Sequence, residues 1–231
     1  MAAIHLGGGE KGGVGKSVVV RTMIQYRMDR NAPFAAFETD RSNPDVGGIY
    51  KGLCQFAVFT EEEKQADRAD RIFETAIEKP VIVNLAAQSH RAVKSWIEKN
   101  QLFDLGEEIG VSFYHWFVCS GGYDSINLFM QSVTSYDPRM KHIMVRNWGM
   151  CDDWSHVEED LQLSKLIKKH KVFVIDFPKL AYRERNIIDR ERMTYASKRE
   201  YKEFGVISKQ RVSNFLKKAY AAFDETGVWD E

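Results

Sequence analysis

Cysteine is scarce in this chain, and its three residues, Cys54, Cys119 and Cys151, stand far apart. An odd number at such spacing excludes a disulfide framework and a Cys-x-x-Cys metal cluster, and fits thiols kept reduced in a cytoplasmic setting. No run of 18 apolar residues occurs, so no transmembrane helix is expected, and the sequence enters its first strand without a signal peptide. Internal repeats, low-complexity tracts and linkers are also missing. Net charge is zero, with 33 basic and 33 acidic residues, but the balance is uneven. Residues 179–218 hold 12 Lys or Arg against 5 Asp or Glu, which leaves the front of the chain acidic. What is present, 231 residues of which 44% are hydrophobic, suits a single domain over residues 1–231.

The stretch Gly9-Glu10-Lys11-Gly12-Gly13-Val14-Gly15-Lys16-Ser17 reads as a loop that holds phosphate. It follows a short apolar strand, Ala3-Ile4-His5-Leu6, and opens a helical run through Val18, Val20, Met23, Ile24 and Tyr26. Glycines in such a turn let successive backbone N–H groups curl around an anion, and the next helix adds its N-terminal N–H groups and dipole. Lys16 brings a point charge to the β- and γ-phosphates of ATP, and Ser17 a hydroxyl ligand for Mg2+. The plainer alternative is a tight strand-to-helix turn. However, Lys-Gly-Gly-x-Gly-Lys-Ser/Thr arises by chance in a chain of this length on the order of once in 10,000.

Further apolar strands are predicted at 34–37, 81–87, 111–119, 141–148 and 171–177, with helices between them at 60–79, 89–99, 123–135 and around 161–167. Strands alternating with helices predict an α/β fold, a doubly wound and mostly parallel twisted sheet with helices on both faces. The second strand runs into the polar loop from Glu38 to Asp45, where such sheets place ligand-binding groups. Asp40 there is a candidate to hold a magnesium-bound water or to orient the attacking one, with Asp45 the weaker candidate; a helix cap or solvated turn is the alternative. His115, between aromatics inside its strand, reads as a hydrogen-bonded core histidine. The helical segment at about 179–224 carries Arg183, Arg185, Arg190, Arg192, Lys198, Arg199, Lys202, Lys209, Arg211, Lys217 and Lys218. These residues are either a solvated face or a non-specific contact for DNA phosphates.

The second loop lysine, Lys11, is one an ordinary phosphate loop does not need, and with it the chain resembles the deviant Walker A ATPases of the ParA and MinD family. The resemblance implies a P-loop NTPase that binds ATP or ADP with Mg2+ as a homodimer, with Lys11 reaching the partner's phosphates. It also implies that Glu38-x-Asp40 matches the family's Asp-x-Asp in the switch I loop, and that Asn147 bonds adenine, for which strand termination is the alternative. Pro178 would stand in the loop that covers the base. Lys11, Lys16 and Asp40 would carry the chemistry, with Ser17 and Asp40 at the metal. Asn84 departs from the family, which has a carboxylate there at its Walker B position; an amide carries no charge, which puts hydrolysis in question more than binding.

The function so implied is a slow ATPase and dimerisation switch that positions, segregates or mobilises a cargo, with plasmid DNA in first place. An adaptor or activator protein is the expected partner, and the nucleoid an expected location if DNA is bound. The alternatives are a nucleotide-dependent scaffold with negligible turnover and an ATP-dependent metabolic ligase on the same fold.

Overall fold

The computed structural model describes residues 2–9 and 11–229; Glu10 and the side chains of Lys198 and Arg199 lie outside the described residues. Seven strands form one sheet: β1 (Ala2–Gly8), β2 (Ala35–Glu38), β3 (Cys54–Phe56), β4 (Val81–Asn84), β5 (Val111–Cys119), β6 (Met140–Asn147) and β7 (Phe173–Phe177). Their spatial order is β3-β2-β4-β1-β5-β6-β7, and every neighbouring pair is parallel. The sheet is therefore wholly parallel. The helices are α1 (Lys16–Asp29), α2 (Asp45–Ile49), α3 (Asp70–Glu78), α4 (His90–Lys99), α5 (Leu102–Ile109), α6 (Tyr123–Ser135), α7 (Ser155–Glu158), α8 (Leu161–His170), α9 (Tyr182–Arg190) and α10 (Val206–Asp224).

The near-continuous apolar runs of the central strands follow from burial on both faces. Alternate residues feed opposite layers. Ile82, Tyr114 and Trp116 meet α1 and α10 through Val20, Met23, Val212 and Phe223, whereas Ile4, Leu6, Val81, Val83 and Phe113 meet α3, α4 and α5 through Ile72, Phe73, Trp96 and Phe103. A third cluster, Phe117, Met144, Phe129, Val133 and Leu163, seats α6 and α8. Because β1 lies between β4 and β5, the chain turns outward from it in both directions. The crevice at the carboxyl end of β1 is the topological switch point, where open α/β sheets bind ligands.

Several boundaries differ from the sequence-based expectation. The edge strand β3 is only three residues long, too short for a periodic signal to mark it. The helix expected from Thr60 starts as a 3-10 turn at Glu63–Ala69 and becomes α-helical at Asp70; Thr60 instead accepts a bond from the Glu62 N–H at 3.1 Å. Leu161, the first residue of the helix expected around 161–167, is 74% exposed.

The C-terminal segment is tied into the body of the fold. Arg21 of α1, fully buried, donates to Asp189 Oδ1 at 2.8 Å and to the Met193 carbonyl at 3.2 Å, with Asp45 of α2 3.8 Å away. Tyr26 of α1 and Arg30, the residue that follows α1, hold Asp224 at 2.7 and 2.8 Å. Trp229 stacks on His5 of β1 with ring centroids 3.8 Å apart.

Candidate nucleotide site

Gly13 and Gly15 adopt left-handed backbone conformations, φ 79° and 95°, which a side chain would oppose. They turn the chain from β1 into α1, whose first residue is Lys16. Asn147, at the end of β6, braces this loop: its Nδ2 donates to the Val14 carbonyl at 2.8 Å, and its Oδ1 accepts from the Gly149 N–H at 3.0 Å. A Cβ on Gly15 would stand 2.3 Å from that Nδ2. Gly15→Ala therefore combines an unfavourable φ with a clash, and it is expected to weaken ATP binding at least about 30-fold while leaving the far-ultraviolet circular dichroism spectrum unchanged. Equal affinity in the two proteins, measured by calorimetry, would contradict this account of the loop.

A cleft of about 220 Å³ opens beside the loop, and Gly13, Gly15, Val18, Asn147 and Pro178 line it together. Five residues singled out from distant parts of the sequence thus converge. Arg185, Asn186 and Asp189 of α9 line it too. Sequence reasoning missed them as site residues, and counted Arg185 only as part of the basic segment; its position eight residues after Phe177 was the available signal. A larger hollow of about 590 Å³, lined by Arg41, Phe56, Arg68 and Arg71 among others, lies against β3. The smaller cleft is the better candidate because it adjoins the glycine loop and the first turn of α1, and the larger hollow does not.

Both loop lysines are engaged inside the chain. Lys16 Nζ donates to the Lys11 carbonyl at 3.0 Å. Lys11 Nζ pairs with Asp124 Oδ2 at 2.6 Å, at the first turn of α6, where both side chains are exposed. Nothing in the sequence marked Asp124. Asp40 is half-buried; its Oδ1 accepts from Ser42 N–H at 3.0 Å, Ser42 Oγ at 2.6 Å and Asn43 N–H at 2.9 Å, so the side chain does cap a turn. Partial burial pushes its carboxyl up, but those bonds and the charge of Lys16 outweigh it and hold the group below the usual aspartate value. Oδ2 has no protein partner among the described residues and remains for a water or ligand.

Glu38 is fully buried, and Oε1 accepts from the Asp40 N–H and from Asn84 Nδ2, both at 2.9 Å. Oε2 accepts from Val46 and Gly47 N–H at 3.1 and 3.2 Å. Burial pushes this carboxyl above the usual glutamate value, and the four donors oppose the shift. Asn84 is buried, and its Oδ1 has no hydrogen-bond partner. An orphaned amide oxygen at the end of the strand beside β1 fits a site that waits for a donor such as a metal-bound water, and Ser17 in the first turn of α1 offers a hydroxyl for the same ion. Among the described residues no group of three His, Cys, Asp or Glu could hold a metal by itself, so Mg2+ would need the nucleotide's oxygens as further ligands.

His115 is a core residue, as its neighbours in sequence suggested. The carbonyl of Met140 fixes the proton on His142 Nδ1 (3.0 Å), so His142 Nε2 accepts from Ser132 Oγ (3.1 Å), which in turn accepts from His115 Nδ1 (3.2 Å). All three positions are buried.

With this geometry in view, comparison with known proteins gives a consistent outcome. The chain is 34% identical to protein MobD of Acidithiobacillus ferrooxidans over 99 residues, 42% of this chain and 43% of that protein. It is 25% identical to protein TraL of Escherichia coli over 189 residues, 78% of each. No family model matches. Among solved structures, MinD of Aquifex aeolicus superimposes with a TM-score of 0.55 at 12% identity, covering 96% of this chain and 98% of that one. A nucleotide-binding protein of Archaeoglobus fulgidus, solved with ADP, gives 0.52 at 12% identity over 83% and 87%. These likenesses show the fold, a parallel α/β sheet between layers of helices as in MinD. Among the described residues no helix is long and apolar enough to cross a membrane.

Proposed function

We propose that this protein is an ATP-dependent dimerisation switch with slow hydrolysis, which positions, segregates or mobilises a cargo, plasmid DNA first among them. The observation that carries the reading is the convergence of the two-lysine loop, Asn147 and Pro178 on one cleft at the sheet's switch point. On binding ATP, Lys16 exchanges the Lys11 carbonyl for the β- and γ-phosphates, and the loop N–H groups take the remaining charge. Magnesium would neutralise phosphate charge there, with Ser17 and the Asp40 and Asn84 side chains as the groups to hold it or its waters. Asp40 Oδ2 orients the attacking water. Lys11 leaves Asp124 and enters the partner's site.

The MinC:MinD complex of Aquifex aeolicus, on the same fold, is a precedent for an adaptor protein. For DNA, the exposed Arg183, Lys217 and Lys218 are the best-placed groups of the basic segment; Arg190, Arg211 and Lys179 already hold Glu191, Glu184 and Asp152.

Light scattering with ATPγS and magnesium tests the switch. Lys11→Ala is expected to keep monomer affinity for ATPγS within about threefold and to lose the dimer; a dimer as tight as wild type would sink the role in trans. Asp124→Ala is expected to tighten the dimer by up to about thirtyfold, because two exposed ion pairs, one in each subunit, are released on dimerisation and each contributes at most about 1 kcal/mol. A second reading, a nucleotide-held scaffold with almost no turnover, is favoured by the amide at position 84. Single-turnover hydrolysis abolished by Asp40→Ala would decide for the ATPase.

A further inference from the structure

Asn84 and Glu38 are register partners on adjacent strands, β4 and β2, and Asn84 is also the partner of Gly7 on β1, just ahead of the glycine loop. All four hydrogen bonds to Glu38 come from donors, one of which is Asn84 Nδ2 at 2.9 Å. A protonated carboxyl would need an acceptor at one of those positions, and none is there. The same contact fixes how Asn84 faces. Turning its amide over would press Oδ1 against a carboxylate oxygen, so Nδ2 stays on Glu38 and Oδ1 is held outward, buried and without a partner. Leaving such an oxygen buried and unpaired is unfavourable, and a ligand that donates a proton to it recovers that cost.

We propose that the negative charge for the nucleotide's cation has been moved one strand over, from position 84 to Glu38, with Asn84 as a neutral relay that is clamped on Glu38 and offers Oδ1 to a cation-bound water. This rests on the nucleotide-site reading above. Glu38 is then a positioning residue. Its second oxygen holds the Val46 and Gly47 N–H groups, so the relay also ties the cation's arrival to α2 and the loop from Asp40 to Asp45. The long side chain at 38 and the amide at 84 form a matched pair. An aspartate at 84 would set two buried carboxylates in contact, which cannot both ionise.

A four-protein cycle tests this. In the nucleotide-free state Asn84→Asp is expected to lower the melting temperature by about 5 °C or more, and Glu38→Gln combined with Asn84→Asp to recover at least half, because the reversed pair again sets one carboxylate against one amide. An Asn84→Asp protein as stable as wild type, or a double variant no better than Asn84→Asp, overturns the pairing. Calorimetry with ATPγS, with and without magnesium chloride, tests the relay: Asn84→Ala is expected to cut the ratio of the two affinities about tenfold. An unchanged ratio overturns it. Wild-type protein that binds no ATPγS removes the nucleotide reading and the relay together, while the melting cycle still decides the Glu38–Asn84 pair.

Discussion

Lowering the pH from 7 to 4 is expected to unfold this protein, and the first part of the loss is assigned to three buried histidines. His5 is held down to about 3 by burial and by the Arg27 charge, and His142 to about 4 by burial; burial also holds His115 well below the ordinary value. A folded-state value below the unfolded one means that stability is present above about pH 6.5 and falls as the pH drops toward the folded value. At pH 4 His5 and His142 each cost on the order of 3 kcal/mol, against a typical net stability of about 5–15 kcal/mol. The geometry gives the cause. His5 Nδ1 accepts the Trp116 indole N–H at 3.1 Å, and His142 Nε2 accepts from Ser132, so a proton on either atom replaces an acceptor with a donor facing a donor.

Ordinary carboxylates barely titrate between pH 6.5 and 5, so the slope of unfolding free energy against pH in that window reports chiefly the buried histidines; His90, also lowered by burial, adds to it, and Glu38, raised by burial, opposes it. Denaturant titrations should give an excess uptake approaching three protons, about 4 kcal/mol per pH unit. A flat profile there would remove the assignment.

The second large effect is at Lys16. Lys16→Ala is expected to weaken ATP binding by about 100- to 1,000-fold. A unit charge about 4 Å from a phosphate oxygen contributes about 4 kcal/mol at an effective dielectric constant of 20, and each 1.4 kcal/mol is tenfold in affinity. Lys16→Arg is expected to recover little, since Lys16 Nζ reaches the Lys11 carbonyl as a compact point charge and a planar fork does not take its place. Calorimetric titration of both variants with ATP is the measurement; affinity within fivefold of wild type for Lys16→Ala would move the phosphates elsewhere.

The sheet was legible because its strands are long apolar runs, and a parallel sheet buried on both faces needs such runs. β3 was not, because three residues at an edge carry no period. The glycine loop was legible because its signal is local: Gly13 and Gly15 are needed for left-handed backbone, and the two lysines and Ser17 lie within a few residues of them. Asp124, Arg185 and the hub at Glu38 were not, because their meaning lies in which elements the fold brings beside them. Glu38 drew notice only as a lengthened relative of an aspartate. The reason for its length is visible once one oxygen is seen on β4 and the other on α2.

The buried Arg21 bridge limits how the protein can be dissected. Cutting the chain before Asp189 would remove one carboxylate and the Met193 carbonyl from a guanidinium already without a partner for Nε, and would strip α10 and Trp229 from the layer over β1. Asp45, 3.8 Å away, would be the nearest carboxylate left to it, and removing one partner from a buried ion pair costs about 3–5 kcal/mol. Deletion series meant to separate a nucleic-acid-binding tail from an ATP-binding core would therefore yield insoluble fragments, and a negative result from one would say nothing about the basic residues. Their contribution has to be read from single exposed positions, Lys217 and Lys218 first, in an otherwise intact chain.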